Sequence, residues 1–326
     1  MSGAETRWLT NDTAIIDLHF QGVSKVIAAY VLETGDGLAL IETGPSSTLA
    51  ALEAGVESLG RELADIRHLL VTHIHLDHAG AAGLVLRRNP DARLYVHEVG
   101  APHTIDPTNL VRSATRIYGD QMEPLWGEIV PVPAERVVAV SDGGTIDVGG
   151  RMLTVIYTPG HASHHVAFHD VQHNFAFTGD VAGIRIPPSS DTLPPTPPPD
   201  IDIPLWHQSV QRLRELAPDR MLLTHFGVVN DVQAHLDLLD RRLEEWLALI
   251  ESLVHQGIER DAMVERLVAH VATQMEADGM TEVSQQTALA TPYGMAVDGL
   301  LRYLRKRARG TWDVVQTNGV GEDRTA

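Results

Sequence analysis

The segment Val71-Thr72-His73-Ile74-His75-Leu76-Asp77-His78-Ala79-Gly80 places four metal-capable side chains within six residues. It lies where an apolar run, Ile66 to Val71, gives way to small residues and then a helical pattern. A short apolar run of this kind reads as a buried strand, so the cluster begins at a strand end. His73 and His75 are two residues apart and project the same way while the backbone stays extended. Asp77 and His78 follow on a tightening turn and can face a second point a few ångströms away. Imidazoles with a carboxylate suit Zn²⁺, Fe or Mn²⁺ better than Ca²⁺ or Mg²⁺, which prefer all-oxygen shells. A His-rich surface turn is the bland alternative and the weaker one.

Three later segments have the same design. Met152 to Tyr157 runs into Thr158-Pro159-Gly160-His161, Phe175 to Phe177 into Thr178-Gly179-Asp180, and Arg220 to Leu223 into Thr224-His225-Phe226-Gly227. Side chains at the ends of neighbouring strands converge on one edge of a sheet, where sites on α/β scaffolds are built. Five histidines and two aspartates suffice for two metals with open positions for water. The other twelve of the chain's 17 histidines lack this context. His19, His68, His97, His169 and His173, for instance, read as strand or turn residues.

Between these segments the pattern is mixed. Thr13 to Phe20 and Val26 to Leu32 read as strands, and Thr34-Gly35-Asp36-Gly37 turns the chain into Leu38 to Ile41. Pro45, Ser46 and Ser47 open a helix to Leu59. Ala79 to Arg88 reads as a helix, Arg93 to His97 and Val137 to Val140 as strands, and Val166 to Phe168 with Phe175 to Phe177 as a hairpin. Thr108 to Met122 is a helical insertion that offers Tyr118, Arg112 and Arg116 as substrate contacts, and Arg185, just after Asp180, is a further candidate. Pro187 to Pro204 is too rich in proline for a regular element and too long for an idle connection. Its bulky flanks, Ile184, Ile186, Leu205 and Trp206, favour a packed loop over a disordered linker. Gln208 to Leu216 reads as a helix.

From Asn230 only helices are expected. Val232, Leu236, Leu239, Leu243, Leu247, Ile250 and Val254 form one stripe, capped by Asn230 or Asp231 and ended before Gly257. Val264 to Met275 and Met295 to Leu304 follow, and Arg302, Arg305, Lys306, Arg307 and Arg309 complement the dipole at the last helix end. This divides the chain into a metal-site domain over 1–229, a helical extension over 230–309 and a frayed polar tail over 310–326. The stripe can cover the chain's own domain or a second copy in a homo-oligomer.

Charge narrows what such a site can act on. Lys and Arg number 25 against 43 Asp and Glu, a formal charge of −18. Two divalent ions offset only about +4 of it, so the surface repels phosphate backbones and nucleic acid is not an expected partner. No cysteine is present, which removes disulfides, thiolate ligands and a thiol nucleophile. No basic-then-apolar leader opens the sequence and no apolar run approaches the roughly 20 residues of a membrane span. A cytoplasmic protein acting on a small molecule, with no membrane partner, is the expectation.

In combination and order, H-x-H-x-D-H, T-P-G-H, T-G-D and T-H-F-G resemble the metallo-β-lactamase superfamily, and within it the glyoxalase II and N-acyl homoserine lactonase-like branches. The resemblance runs from about Thr13 to Gly227. It implies an α/β fold, the αββα sandwich with a dinuclear site at one edge of its two sheets, here with a C-terminal helical extension. By the same resemblance His73, His75 and His161 hold one metal, Asp77, His78 and His225 hold the other, and Asp180 bridges them. The ions are most simply two Zn²⁺, with Fe or Mn²⁺ as alternatives. Two departures stand out. Glu42 occupies the place of an aspartate that orients a ligand from behind, and its extra methylene changes its reach. Asp180 is followed by Val181-Ala182-Gly183 rather than the Gly-Cys-Gly of the glutathione-dependent enzymes, so their thiol recognition does not transfer.

Two metals about 3.5–4 Å apart share a water and lower its pKa from near 16 to around neutrality. The resulting hydroxide attacks a carbonyl or phosphoryl centre, and Asp77 or a water protonates the leaving group while Asp180 holds the pair. The expected reaction is hydrolysis of a lactone, carboxylic ester or thioester with an apolar portion. A phosphotriesterase or phosphodiesterase would use the same ligands. From a different class, a di-iron redox protein or a non-catalytic metal-binding protein would fit the ligand types. A β-lactamase would be expected to carry an export signal.

Overall fold

The computed structural model describes residues 5–277 and 285–310. The expected frayed tail lies outside the described residues except for Gly310. Among the described residues thirteen strands form two sheets. The seven-stranded sheet carries, in spatial order, β1 (Thr6–Trp8), β2 (Thr13–Asp17), β3 (Ala28–Thr34), β4 (Gly37–Ile41), β5 (Ile66–Leu70), β6 (Arg93–His97) and β7 (Val137–Val140). It is antiparallel as far as β4 and parallel from β4 to β7. The six-stranded sheet is built from β8 (Thr145–Val148), β9 (Arg151–Tyr157), β10 (Val166–Asp170), β11 (Phe175–Gly179), β12 (Arg220–Leu223) and β13 (Gly227–Val229). Only β11 and β12 run parallel in it.

Alternation along the strands creates the layers. Ala39 and Ile41 face the inter-sheet core with Tyr30, Phe168 and Phe177, whereas Leu38 and Leu40 face the core beneath the helices. Both faces of each central strand are therefore apolar, as a sheet covered on two sides requires. Helices Leu49–Ser58 and Ala82–Arg88 pack by the first sheet, and Ile203–Leu216 and Val232–His255 by the second. The result is the expected αββα sandwich.

Several elements differ in detail from the sequence expectation. The helix expected from Gln208 begins at Ile203, because Asp202 accepts a hydrogen bond from the Leu205 N–H and Pro204 is tolerated in a first turn. The insertion expected as one helix breaks at Gly119 into Thr108–Tyr118 and Met122–Trp126. The Pro-rich loop is packed: Leu193 and Ile201 are buried and Ile184 bridges to Leu193. Asp231, not Asn230, caps the long helix. Its stripe turns inward from Val232 to Ile250 and buries Trp246 as well, leaving only Val254 exposed. That face is covered by the chain's own core, including Leu267, Val297 and Leu300. Arg302 and Lys306 at the last helix donate to the carbonyl of Pro199, tying the C-terminal helices to the Pro-rich loop. Among the described residues no helix is long and apolar enough to cross a membrane.

Candidate metal centre

The strand ends bring the seven expected ligands to one edge of the sandwich. Nε2 of His73 lies 2.9 Å from Nδ1 of His75, which lies 3.1 Å from Nε2 of His161. A second group joins Asp77, His78 and His225, with the two Nε2 atoms 3.7 and 3.4 Å from Oδ2 of Asp77. Asp180 stands between the groups. Its Oδ1 is 3.2 Å from His78 Nε2 and 3.5 Å from His225 Nε2, and its Oδ2 is 3.3 Å from His161 Nε2. Nitrogen atoms this close, with carboxylate oxygens beside them, form groups that could hold a metal ion.

The electrostatics agree. Burial holds His73 well below the ordinary imidazole range and His75 at about 4, so both are neutral. Burial also opposes charge on His78, but Asp180, Asp77 and Glu42 outweigh it and raise its pKa well above the ordinary value. His225 is raised against burial by Asp180 and Asp77. Burial opposes ionisation of Asp77 too, yet His78 and His225 bring it down to about 2. The field at this edge favours positive charge. His78 Nε2, His225 Nε2 and Asp180 Oδ1 are buried and make no hydrogen bond, which leaves them open to a ligand. The donor set of imidazoles and carboxylates could hold divalent metal.

Several of these residues are braced from behind. His161 Nδ1 donates to the Pro195 carbonyl at 2.9 Å and His225 Nδ1 to the Val26 carbonyl at 2.6 Å. Glu42 Oε1 accepts from Thr72 Oγ1 at 2.5 Å, which leaves the threonine oxygen to accept from His73 Nδ1 at 3.1 Å. The longer side chain thus reaches both the first ligand and His78, whose Nδ1 is 3.2 Å from the same oxygen. His165 escaped the sequence reading. Its Nε2 accepts from the Asp180 N–H at 3.2 Å, and its Nδ1 faces Thr158 Oγ1 at 2.8 Å. Gly179, at φ +50°, has to be glycine here because a Cβ would meet Thr72 Oγ1 at 2.4 Å and His165 Nε2 at 2.7 Å. Nothing in the local sequence of His165 sets it apart from the chain's other histidines.

A pocket of about 380 Å³ opens on the metal edge at His75, Asp77 and Asp180. Its walls are Leu110, Ile117, Trp126, Leu289 and Met295 with the prolines of the Pro-rich loop. Tyr118 lines it, and its hydroxyl donates to the Met295 sulfur at 3.3 Å. Three expected substrate contacts lie elsewhere. Arg112 and Arg116 are exposed, because Leu110, Ala114 and Ile117 occupy the pocket side of the same helix. Arg185 is carried away by the turn at Gly183: its N–H donates to the His225 carbonyl at 2.6 Å, and its side chain lines a different cavity.

The family model for the metallo-beta-lactamase superfamily matches residues 25–225, the stretch that carries all these ligands. The chain belongs to the metallo-β-lactamase superfamily. It is a hydrolase of that fold. The metallo-beta-lactamase fold-containing protein ST1585 of Sulfurisphaera tokodaii is 28% identical over 236 residues, 71% of this chain and 83% of its own. Its crystal structure superposes with a TM-score of 0.55 over 68% of this chain and 81% of that one, at 26% identity. The atrochrysone carboxyl ACP thioesterase of Aspergillus fumigatus is 24% identical over 87% of this chain and 58% of its own length. The acyl-coenzyme A thioesterase MBLAC2 of Bos taurus is 33% identical over 46% of this chain and 53% of its own. This superfamily member thus spans a little over half the length of those two thioesterases.

Proposed function

We propose that this hydrolase cleaves a thioester, or a related ester or lactone, of an apolar acyl group at a centre of two divalent ions, zinc first among them. The observation that carries this reading is the apolar pocket ending at His75, Asp77 and Asp180. An apolar wall of this size suits a hydrocarbon substituent next to polar chemistry. The relatives named as thioesterases support considering the thioester first among these acyl compounds.

His73, His75 and His161 would hold one ion, Asp77, His78 and His225 the other, and Asp180 would contribute an oxygen to each. Bound there, two such ions supply Lewis acidity and a water of lowered pKa. The protein does the rest. Leu110, Ile117, Leu289 and Met295 receive the acyl chain and exclude bulk water from the end of the pocket. That placement sets the carbonyl against the Asp77 and Asp180 edge, the orienting contribution to catalysis. Asp77 is the more exposed of the two carboxylates, at 24% against 5%, and is the group positioned to take a proton from the attacking water and pass it to the leaving thiol or alcohol.

Elemental analysis of the purified protein, combined with a panel of acyl thioesters, carboxylic esters, lactones and phosphotriesters, tests the reading. Two metal equivalents and a rate that grows with acyl length on thioesters are expected. A protein that holds two metals and leaves every acyl compound intact overturns it, and preference for the phosphotriesters would assign the site to phosphoryl chemistry instead.

A further inference from the structure

A second cavity, of about 640 Å³, shares no wall residue with the acyl pocket and is lined by Arg7, Lys25, Arg185 and Arg220. In a chain of formal charge −18 this is an unusual concentration of cations. Several arginines elsewhere are matched with carboxylates, among them Arg61 with Glu33, Arg88 with Glu53, Arg242 with Asp191 and Arg260 with Asp298. Among the described residues none of the four cavity cations has such an ion pair, and the guanidinium of Arg220 rests on the Phe175 ring at 5.4 Å. Two carboxylates share the wall, Glu5 and Asp17. Asp17 is already engaged, accepting from the main-chain N–H groups of His19 at 3.1 Å and Lys25 at 2.7 Å.

Four cations against two carboxylates leave the wall with an excess of positive charge that an anionic guest would offset. Guanidinium forks match phosphate oxygens in pairs, and a lysine adds a point charge. We propose that this cavity binds a phosphate-bearing small molecule, with Arg7, Lys25, Arg185 and Arg220 as its charge partners. Its volume holds more than a phosphate group, and Trp8 and Phe226 supply aromatic surface for the remainder. The site also lies behind a ligand of the metal centre. Arg185 donates its N–H to the His225 carbonyl at 2.6 Å, and Lys25 precedes Val26, whose carbonyl takes the His225 Nδ1 proton at 2.6 Å. The inference does not depend on the acyl reading of the first pocket.

Titration calorimetry with ADP, inorganic pyrophosphate and adenosine tests it. ADP and pyrophosphate should bind saturably and adenosine should not. The double variant Arg185→Ala/Arg220→Ala, its folding verified by circular dichroism, should weaken ADP by about tenfold or more, and Lys25→Gln should weaken it in the same sense. His161→Ala, altered at the metal edge alone, should bind ADP as the parent protein does. Absence of heat with both anions overturns the proposal, as does equal binding of adenosine. Binding lost in His161→Ala but kept in the arginine variant also overturns it, because the anion would then sit at the metal centre.

Discussion

The carboxylate of Glu42 lies 3.2 Å from Nδ1 of His78, with both side chains shut away from solvent. The same oxygen takes the Thr72 hydroxyl at 2.5 Å and that of Thr224 at 3.4 Å, so one group gathers the residues before His73 and His225 as well as His78 itself. Glu42 holds this place from a left-handed backbone, φ +65°, a conformation costing about 1–3 kcal/mol that the surrounding contacts must offset. Glu42→Gln keeps the length and removes the charge, and Glu42→Asp keeps the charge and withdraws it by a methylene. Both should fold and both should lose metal affinity by about 10–100-fold. Competition with a coloured chelator measures this, and an unchanged affinity in both variants would remove Glu42 from the support of the centre.

The pocket offers a second prediction. Leu289 sits on its wall, contributed by a helix far along the chain from the metal motifs. Leu289→Trp should shorten the space for an acyl chain without touching a ligand. Burial is worth about 0.8 kcal/mol per methylene, so denying two methylenes should lower kcat/KM for long acyl thioesters by about tenfold. Short-chain thioesters should be cleaved as before. A uniform loss across chain lengths would place the acyl group elsewhere.

Legibility in the sequence followed physical scale. The four ligand-bearing strand ends were visible because a buried strand followed by glycine, proline or histidine leaves a local signal, and β6 and β7 match their expected limits. β1, β8 and β13 were not anticipated. They are three or four residues long, too short to display an alternation, and they form at sheet edges through pairing with neighbours. His165 was hidden because a residue that supports a ligand through the Asp180 N–H looks like any strand histidine. The pocket was the least legible part. Leu289 and Met295 have the periodicity of core residues, and only the packed chain shows which apolar side chains border an opening. Arg112 and Arg116 are candidates from their place in the helical insertion and Arg185 from its nearness to Asp180, and neither ground decides the face of a helix or the direction of a turn.

A third prediction concerns stability. Arg151 is buried at the start of β9, with Nη2 2.5 Å from Oδ2 of Asp170 on β10 and 2.7 Å from Oγ1 of Thr13 on β2, so it ties the two sheets together. Asp170 has no exposure at all. Arg151→Met leaves that carboxylate buried with only His173 and the Gln172 N–H as partners and should cost about 3–5 kcal/mol in urea unfolding. Adding Asp170→Leu should recover much of the loss, since removing both charges also removes the desolvation penalty. No recovery in the double variant would show that the geometry of the pair, rather than its charge, holds the sheets.

A fourth prediction follows from His207, which joins helix Ile203–Leu216 to helix Val232–His255. Its Nδ1 is 2.8 Å from Asp240 Oδ1 and its Nε2 is 2.6 Å from Glu244 Oε1. The hydrogen bond to Asp240 raises its pKa above the ordinary 6.5, more than burial lowers it, and Glu244 adds to the rise. Arg214 also binds Asp240, at 2.7 Å, but keeps its charge at every relevant pH. A folded pKa above the unfolded one means that the folded state binds the proton more tightly. The contribution is therefore complete below about pH 6.5 and disappears as pH rises through the folded value. Urea midpoints measured from pH 6 upward should fall for the parent protein across that window, and His207→Gln should flatten this part of the profile. A parent and variant that fall in parallel would show that other groups carry the dependence.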